Sequence, residues 1–208
     1  MKVISFLQTK GGVGKTTCVI NVAQALAMSG VDVAVVDTDP QASLQNWNKA
    51  NLAQFTIYAA ESEKDVYRVR KELQHHDYVI IDGAATLSVI THSAVMVSDL
   101  VIVPVTPSPL DFSASSSVLD VIEAQNMNRA TPITCRFLLT RYVDGTVMGD
   151  LLKSSIDSVG QQRFKTRMAH RQSYIRSLLD GGTIFDTRDS AARGEVSMLV
   201  EEIKQLII

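Results

Sequence analysis

One run in this chain has the residue types and spacing for phosphate chemistry: Lys10-Gly11-Gly12-Val13-Gly14-Lys15-Thr16-Thr17. It follows the apolar stretch Val3-Ile4-Ser5-Phe6-Leu7 and precedes a helical pattern, the strand–loop–helix context in which a glycine-rich loop cradles phosphates. Glycines let the backbone curl so that successive N–H groups point at anionic oxygens, and the new helix adds the positive end of its dipole. Lys15 would then reach the β- and γ-phosphates of a nucleotide, and Thr16 would give its hydroxyl to Mg²⁺. The common pattern G-x-x-x-x-G-K-[ST] places a glycine at position 9. This chain has Thr9 there, followed by an additional lysine, Lys10.

Two acidic strings complete the candidate constellation: Val36-Asp37-Thr38-Asp39-Pro40-Gln41 and Ile80-Ile81-Asp82-Gly83, each at the end of an apolar run. Phosphoryl transfer needs charge neutralised around the γ-phosphate and a water held in line. Asp37 and Asp82 suit a place near Mg²⁺, acting through its coordinated waters. Asp37 and Asp39 are two apart, so extended backbone would put them on one face. The plainer reading is a strand-ending turn, which Asp and Pro both favour. Gln41 reads equally as a ligand contact or as ordinary polarity at a helix start.

These residues need a scaffold that brings them to one edge. Buried strands are expected at 2–7, 33–36, 55–58, 78–81, 100–103 and 135–139. Helices are expected at 15–29, 42–50, 64–73 and 110–127, with Gly30 as the left-handed cap of the first. Pro104, Pro107 and Pro109 are expected to stop the fifth strand. Near-continuous apolar strands alternating with helices give an α/β fold with a doubly wound, mostly parallel sheet covered on both faces. In such sheets ligands sit at the carboxyl ends of strands, which is where Lys10–Thr17, Asp37, Asp39, Asp82 and Thr140-Arg141 fall. The 208 residues fit one such domain, with no internal repeat or linker.

Composition narrows the classes. The chain is 46% hydrophobic and 20% charged, as in ordinary globular proteins, and contains no apolar run long enough to span a bilayer. With no secretory segment at the N-terminus, the cytoplasm is the expected compartment. Cys18 and Cys135 lack paired spacing and read as reduced core residues. The net charge of −2 is unevenly distributed: Arg163, Lys165, Arg167, Arg171 and Arg176 fall in a stretch without a single acid. Arg163, Lys165 and Arg167 alternate, so a strand would align them on one face. Such a stripe suits weak, salt-sensitive, sequence-independent contact with DNA phosphates, and an unpartnered solvated face is the alternative.

Together the phosphate loop, Val35–Gln41 and the long string Val95–Ser113 resemble the ParA/MinD group of ATPases, whose deviant loop reads K-G-G-x-G-K-[ST]. The chain is most similar to the small plasmid-partition ParA proteins. The resemblance implies a P-loop fold that binds ATP or ADP with Mg²⁺ and hydrolyses ATP. Lys10 would reach across an ATP-dependent homodimer to the partner's phosphates, and Asp39 would position or polarise the attacking water. Pro107 would flank the adenine and the dimer face. Thr140 and Arg141 would contact the base, although Arg141 reads equally as a surface cation. Gly83–Ser88, where the family often has prolines, would be the switch that answers to the γ-phosphate. The implied partners are a second copy in a dimer or polymer, non-specific DNA, and a centromere-binding protein that stimulates hydrolysis. The implied setting is the nucleoid.

The phosphate loop begins at residue 10, so the resemblance leaves no room for a preceding helix-turn-helix, and operator binding is not expected. The last helical pattern buries Val196, Leu199, Val200, Ile203 and Leu206 and shows Glu195, Glu201 and Glu202 on its polar face. A membrane-binding helix wants cations there. Core packing is therefore expected, against a membrane-surface positioning ATPase. A filament-forming structural protein gated by nucleotide needs the same site and stays open. Iron–sulfur chemistry is set aside for want of paired cysteines.

Overall fold

Parallel strands buried on both faces favour near-continuous apolar side chains, and β2 (Val33–Asp37) is buried along its whole length and apolar up to its final residue, Asp37. The computed structural model describes residues 1–179 and 181–207. Among them, β1 (Lys2–Phe6), β2, β3 (Thr56–Ala59), β4 (Tyr78–Asp82), β5 (Leu100–Val105) and β6 (Thr134–Leu139) form a sheet in the order β3-β2-β4-β1-β5-β6. Every neighbouring pair is parallel. The helices are α1 (Lys15–Met28), α2 (Ser43–Trp47), α3 (Glu63–Glu72), α4 (Val89–Val97) and α5 (Pro109–Ser113). After them come α6 (Ser116–Asn126), α7 (Val147–Ser158), α8 (Gln172–Arg176) and α9 (Ser190–Leu206).

Side-chain alternation sorts the core into two layers. Ile4, Phe6, Val35, Ile80 and Ile102 pack with α1 and α9, whereas Val3, Val36, Ile81, Val101 and Val103 pack with α3, α4, α6 and α7. α9 buries Val196, Leu199, Val200 and Ile203 against α1, so the expected core role holds. Among the described residues no helix is long and apolar enough to cross a membrane.

Three expectations are corrected. Pro104 does not stop β5, which runs to Val105. Ile102 O accepts from Leu7 N, so Pro104 faces the same side two residues on, where β1 has already ended. Its missing N–H therefore costs no ladder bond. The helix expected over 110–127 breaks between α5 and α6. Thr9 Oγ1 takes the Ala114 carbonyl at 2.8 Å, and the Ser115, Ser116 and Ser117 hydroxyls turn back on nearby carbonyls. Residues 162–170 run beside β6 through bonds such as Phe164 N to Phe137 O and Met168 N to Leu139 O, without becoming a regular strand.

Candidate functional site

The glycine-rich loop joins β1 to α1 at the carboxyl edge of the sheet. Gly12 (φ 79°) and Gly14 (φ 91°) both occupy the left-handed region, which side chains strain to adopt, and the loop can curl only through such residues. Gly11, Gly12 and Lys10 are exposed, while Val13 is buried and its carbonyl accepts from Thr140 Oγ1 at 2.8 Å. Lys15 folds back over the loop, its Nζ donating to the Lys10 carbonyl at 3.4 Å. Burial lowers its pKa, and the nearby Asp82 and Asp39 charges oppose that shift. Thr17, in the first turn of α1, accepts from Asn21 Nδ2 through its carbonyl.

The acidic residues converge on this loop because β4 inserts between β1 and β2. The register pairs Asp37 with Asp82 and Phe6 with Asp82. Thr16 Oγ1 donates to Asp82 Oδ2 at 2.7 Å. Asp82 Oδ1 is buried with no partner among the described residues. Its carboxyl is pushed up to about 7, chiefly by burial, with the Thr16 hydrogen bond acting against the shift and Asp37 adding to it. A buried carboxylate oxygen aimed at nothing is costly. Together with the Thr16 hydroxyl it fits a hydrated Mg²⁺, which takes one or two protein oxygens plus phosphates and water. Among the described residues no group of three or more His, Cys, Asp or Glu could hold a metal alone, in keeping with that mode.

Asp37 and Asp39 are not on one extended face. The chain turns after β2, with Asp39 N donating to Asp37 Oδ1 at 3.0 Å and Leu44 N to Asp37 Oδ2 at 3.2 Å. Asp37 thus holds the turn and the start of α2 while lying beside Asp82, and burial raises its pKa. The strand-ending-turn reading and the site reading coexist at this residue. Asp39 Oδ1 accepts from Gln41 N at 2.9 Å.

A cleft opens between the end of the phosphate loop with the start of α1 (Val13, Gly14, Thr17, Cys18) and residues 168–175, with Thr140 and Arg141 between them. Arg141 has a positive φ of 47° at the turn that ends β6. Pro107 stands half-buried between β5 and α5 and does not line this cleft. The Gly83–Ser88 segment passes beside the phosphate loop: a Cβ on Gly11 would lie 3.8 Å from that of Ala85. Any side chain at Gly83 would strike Leu7 and the Phe6 carbonyl, so only glycine lets β4 leave the sheet there.

The basic stripe is partly neutralised. Arg163 pairs with Asp157 at 3.6 Å and Arg167 with Asp144, half-buried in both cases. Arg171 pairs with Glu195 at 2.8 Å. Lys165 and Arg176 are exposed and have no ion pair among the described residues. Ile175 and Leu179, on either side of Arg176 in sequence, are exposed as well.

Two site features escaped the sequence reading. Gln8, 1% exposed, accepts from Lys10 N and donates to the carbonyls of Pro104 and Asp111, tying the phosphate loop to α5. Its signal was the one that marked Asp37 and Asp82: a polar residue at the carboxyl end of an apolar strand. Glu195 and Glu202 on α9 accept backbone N–H groups of Lys165, Thr166 and Ala169, the outward donors of the irregular edge. Nothing in the chain's periodicity predicts that contact.

Residues 4–184 match the family described as the CobQ/CobB/MinD/ParA nucleotide binding domain. The chain is 27% identical over 201 residues to maintenance of carboxysome distribution protein A of Halothiobacillus neapolitanus, covering 93% of this chain and 92% of that protein. It is 25% identical over 207 residues to protein ParA of Rhizobium radiobacter, covering 97% and 92%. The fold is similar to that of the septum site-determining protein MinD of Pyrococcus horikoshii, solved with Mg-ADP. The TM-score is 0.75 at 18% identity, over 99% of this chain and 96% of that one.

Proposed function

The chain belongs to the CobQ/CobB/MinD/ParA nucleotide-binding domain family, and on that premise we propose that it is a slow, Mg²⁺-dependent ATPase that partitions DNA. The observation that carries this reading is the meeting of the Lys10–Thr17 loop with the orphaned Asp82 oxygen and the Thr16 hydroxyl. In this reading the loop's N–H groups and Lys15 hold the phosphates, and the cleft beside Thr140 and Arg141 takes the adenine. Mg²⁺, when bound, would draw charge from the phosphate oxygens. Thr16, Asp82 and Asp37 would hold it, the last two through water. Asp39 orients the attacking water, and Lys10, exposed at the loop's rim, reaches a second copy.

ATP-driven pairing makes the DNA contact. Of the four basic residues assigned to it, Lys165 and Arg176 carry the contact, because Arg163 and Arg167 already face acids. A monomer that offers only these two cations of the stripe binds DNA weakly, whereas two copies side by side double the salt-dependent contribution. A centromere-binding partner would stimulate turnover and release, and the protein would reside on the nucleoid. A second reading keeps the same ATPase but gives it another cargo, favoured by the relative named for carboxysome distribution. DNA retention measured with ATP, with ADP and without nucleotide, across a salt series, tests the proposal. Binding that requires ATP, ignores sequence and falls steeply with salt is expected. Binding indifferent to nucleotide would contradict it.

A further inference from the structure

α9 reaches the site from behind through Glu195. This carboxylate lies at the second turn of α9 with its side chain only 14% exposed. Glu195 Oε1 accepts from Arg171 Nε at 3.1 Å and Nη2 at 2.8 Å. Oε2 accepts from Ala169 N at 3.1 Å and from Tyr174 Oη at 2.9 Å. All three partners, Ala169, Arg171 and Tyr174, line the cleft beside the phosphate loop, whereas Glu195 itself does not. Asp189, the cap of α9, adds a second tie by accepting from Ser173 Oγ at 2.7 Å.

The inner side of this wall is held by β6 and the turn after it, through Met168 N to Leu139 O and His170 N to Tyr142 O, so the ties to α9 fix its outer side. Residues 162–170 form no regular strand, and α8 is a single short turn. Left untied, the side chains of Arg171 and Tyr174 on that outer side would have to be ordered each time a ligand entered, at an entropic cost to affinity. We propose that Glu195 is a positioning residue for the nucleoside half of the nucleotide: it preforms the cleft wall that meets the base, leaving the phosphates to Lys10–Thr17. The inference rests on the nucleotide reading of the cleft. It also gives a reason for an acid on the polar face of the last helix, since a neutral amide could not accept from a guanidinium, a hydroxyl and a backbone N–H together with comparable strength.

The test separates the two halves of the ligand by comparing ATP with inorganic tripolyphosphate, which carries the phosphates without a nucleoside. Calorimetric affinities for both are measured on wild type, Glu195→Gln and Tyr174→Phe. Glu195→Gln should weaken ATP roughly ten- to hundredfold, the worth of one or two charge-assisted hydrogen bonds, and leave tripolyphosphate unchanged. Tyr174→Phe removes one of the four bonds and should shift ATP in the same sense by less. It carries the test if Glu195→Gln does not fold. Unchanged ATP affinity in these variants, or equal weakening of both ligands, would overturn the role. Wild type that binds ATP no better than tripolyphosphate would instead remove the base cleft itself, a failure of the underlying reading that the variants are not needed to detect.

Discussion

Thr16 and Asp82, 66 residues apart in sequence, share a 2.7 Å hydrogen bond that joins the first turn of α1 to the end of β4. The bond occupies one carboxylate oxygen and leaves the other buried and unpaired. In the proposed site the hydroxyl would bind Mg²⁺ and the carboxylate would hold it through water. We predict that Thr16→Ala raises the Mg²⁺ concentration needed for half-maximal ATP turnover, while Thr16→Ser stays near wild type. A Mg²⁺ titration at fixed ATP checks this, and identical curves for all three proteins would remove Thr16 from the metal's surroundings.

Asp39 is expected to act on water and not on binding. Asp39→Ala should still bind ATP and self-associate, with turnover lower by about 10²-fold or more. Parallel loss of binding and turnover would place Asp39 with the metal instead.

For Lys10 the expected defect is in pairing. Its ammonium is exposed at the loop rim, while its backbone is fixed by Gln8 and its carbonyl by Lys15. Lys10→Ala should therefore keep nucleotide as a monomer and lose ATP-dependent association. Mass measured by light scattering with a non-hydrolysable ATP analogue decides it, and normal dimers of the variant would refute a contact across copies.

The charge reversals Lys165→Glu and Arg176→Glu, made together, should abolish DNA retention and leave ATP-driven association intact. The same reversal at Arg163 and Arg167 confronts Asp157 and Asp144 and is expected to lower stability as well. Retention with an unchanged salt slope in the first variant would move the DNA surface elsewhere.

Both cysteines should be chemically quiet. Burial pushes the Cys135 thiol up to about 12 and raises that of Cys18 further. A rise from the ordinary 9.0 to that level leaves roughly a thousandfold fewer Cys135 thiolates near neutral pH than a free cysteine has. Native protein should resist iodoacetamide at pH 8 and label at both positions once denatured. Rapid native labelling at Cys18 would mean that the core around it opens, and at the half-buried Cys135 that its thiol is less shielded than the raised pKa implies.

The strands, the phosphate loop and the acidic residues were legible in the sequence because each is a local pattern: an apolar run, a glycine-rich turn, a carboxylate at a strand's end. What the sequence could not show was where distant segments meet. The insertion of β4 between β1 and β2, which puts Asp82 beside Asp37, follows from packing the whole sheet and not from any one strand. The break between α5 and α6 depends on Thr9, about a hundred residues earlier, claiming the Ala114 carbonyl. Alternation in the basic stripe was real, yet Asp144 and Asp157 lie just before it in sequence and fold back onto Arg167 and Arg163. Glu195 looked like solvent-facing charge because its partners come from an irregular segment that carries no periodicity.

The proposed site depends on Lys15, buried at the start of α1 with its ammonium folded over the phosphate loop. Calorimetric ATP binding and steady-state phosphate release, measured side by side on wild type and Lys15→Ala, test it most directly. The prediction is ATP affinity lower by roughly ten- to hundredfold, the worth of a charged hydrogen bond, with no phosphate release above background. Undiminished turnover in pure Lys15→Ala protein would contradict the assigned site.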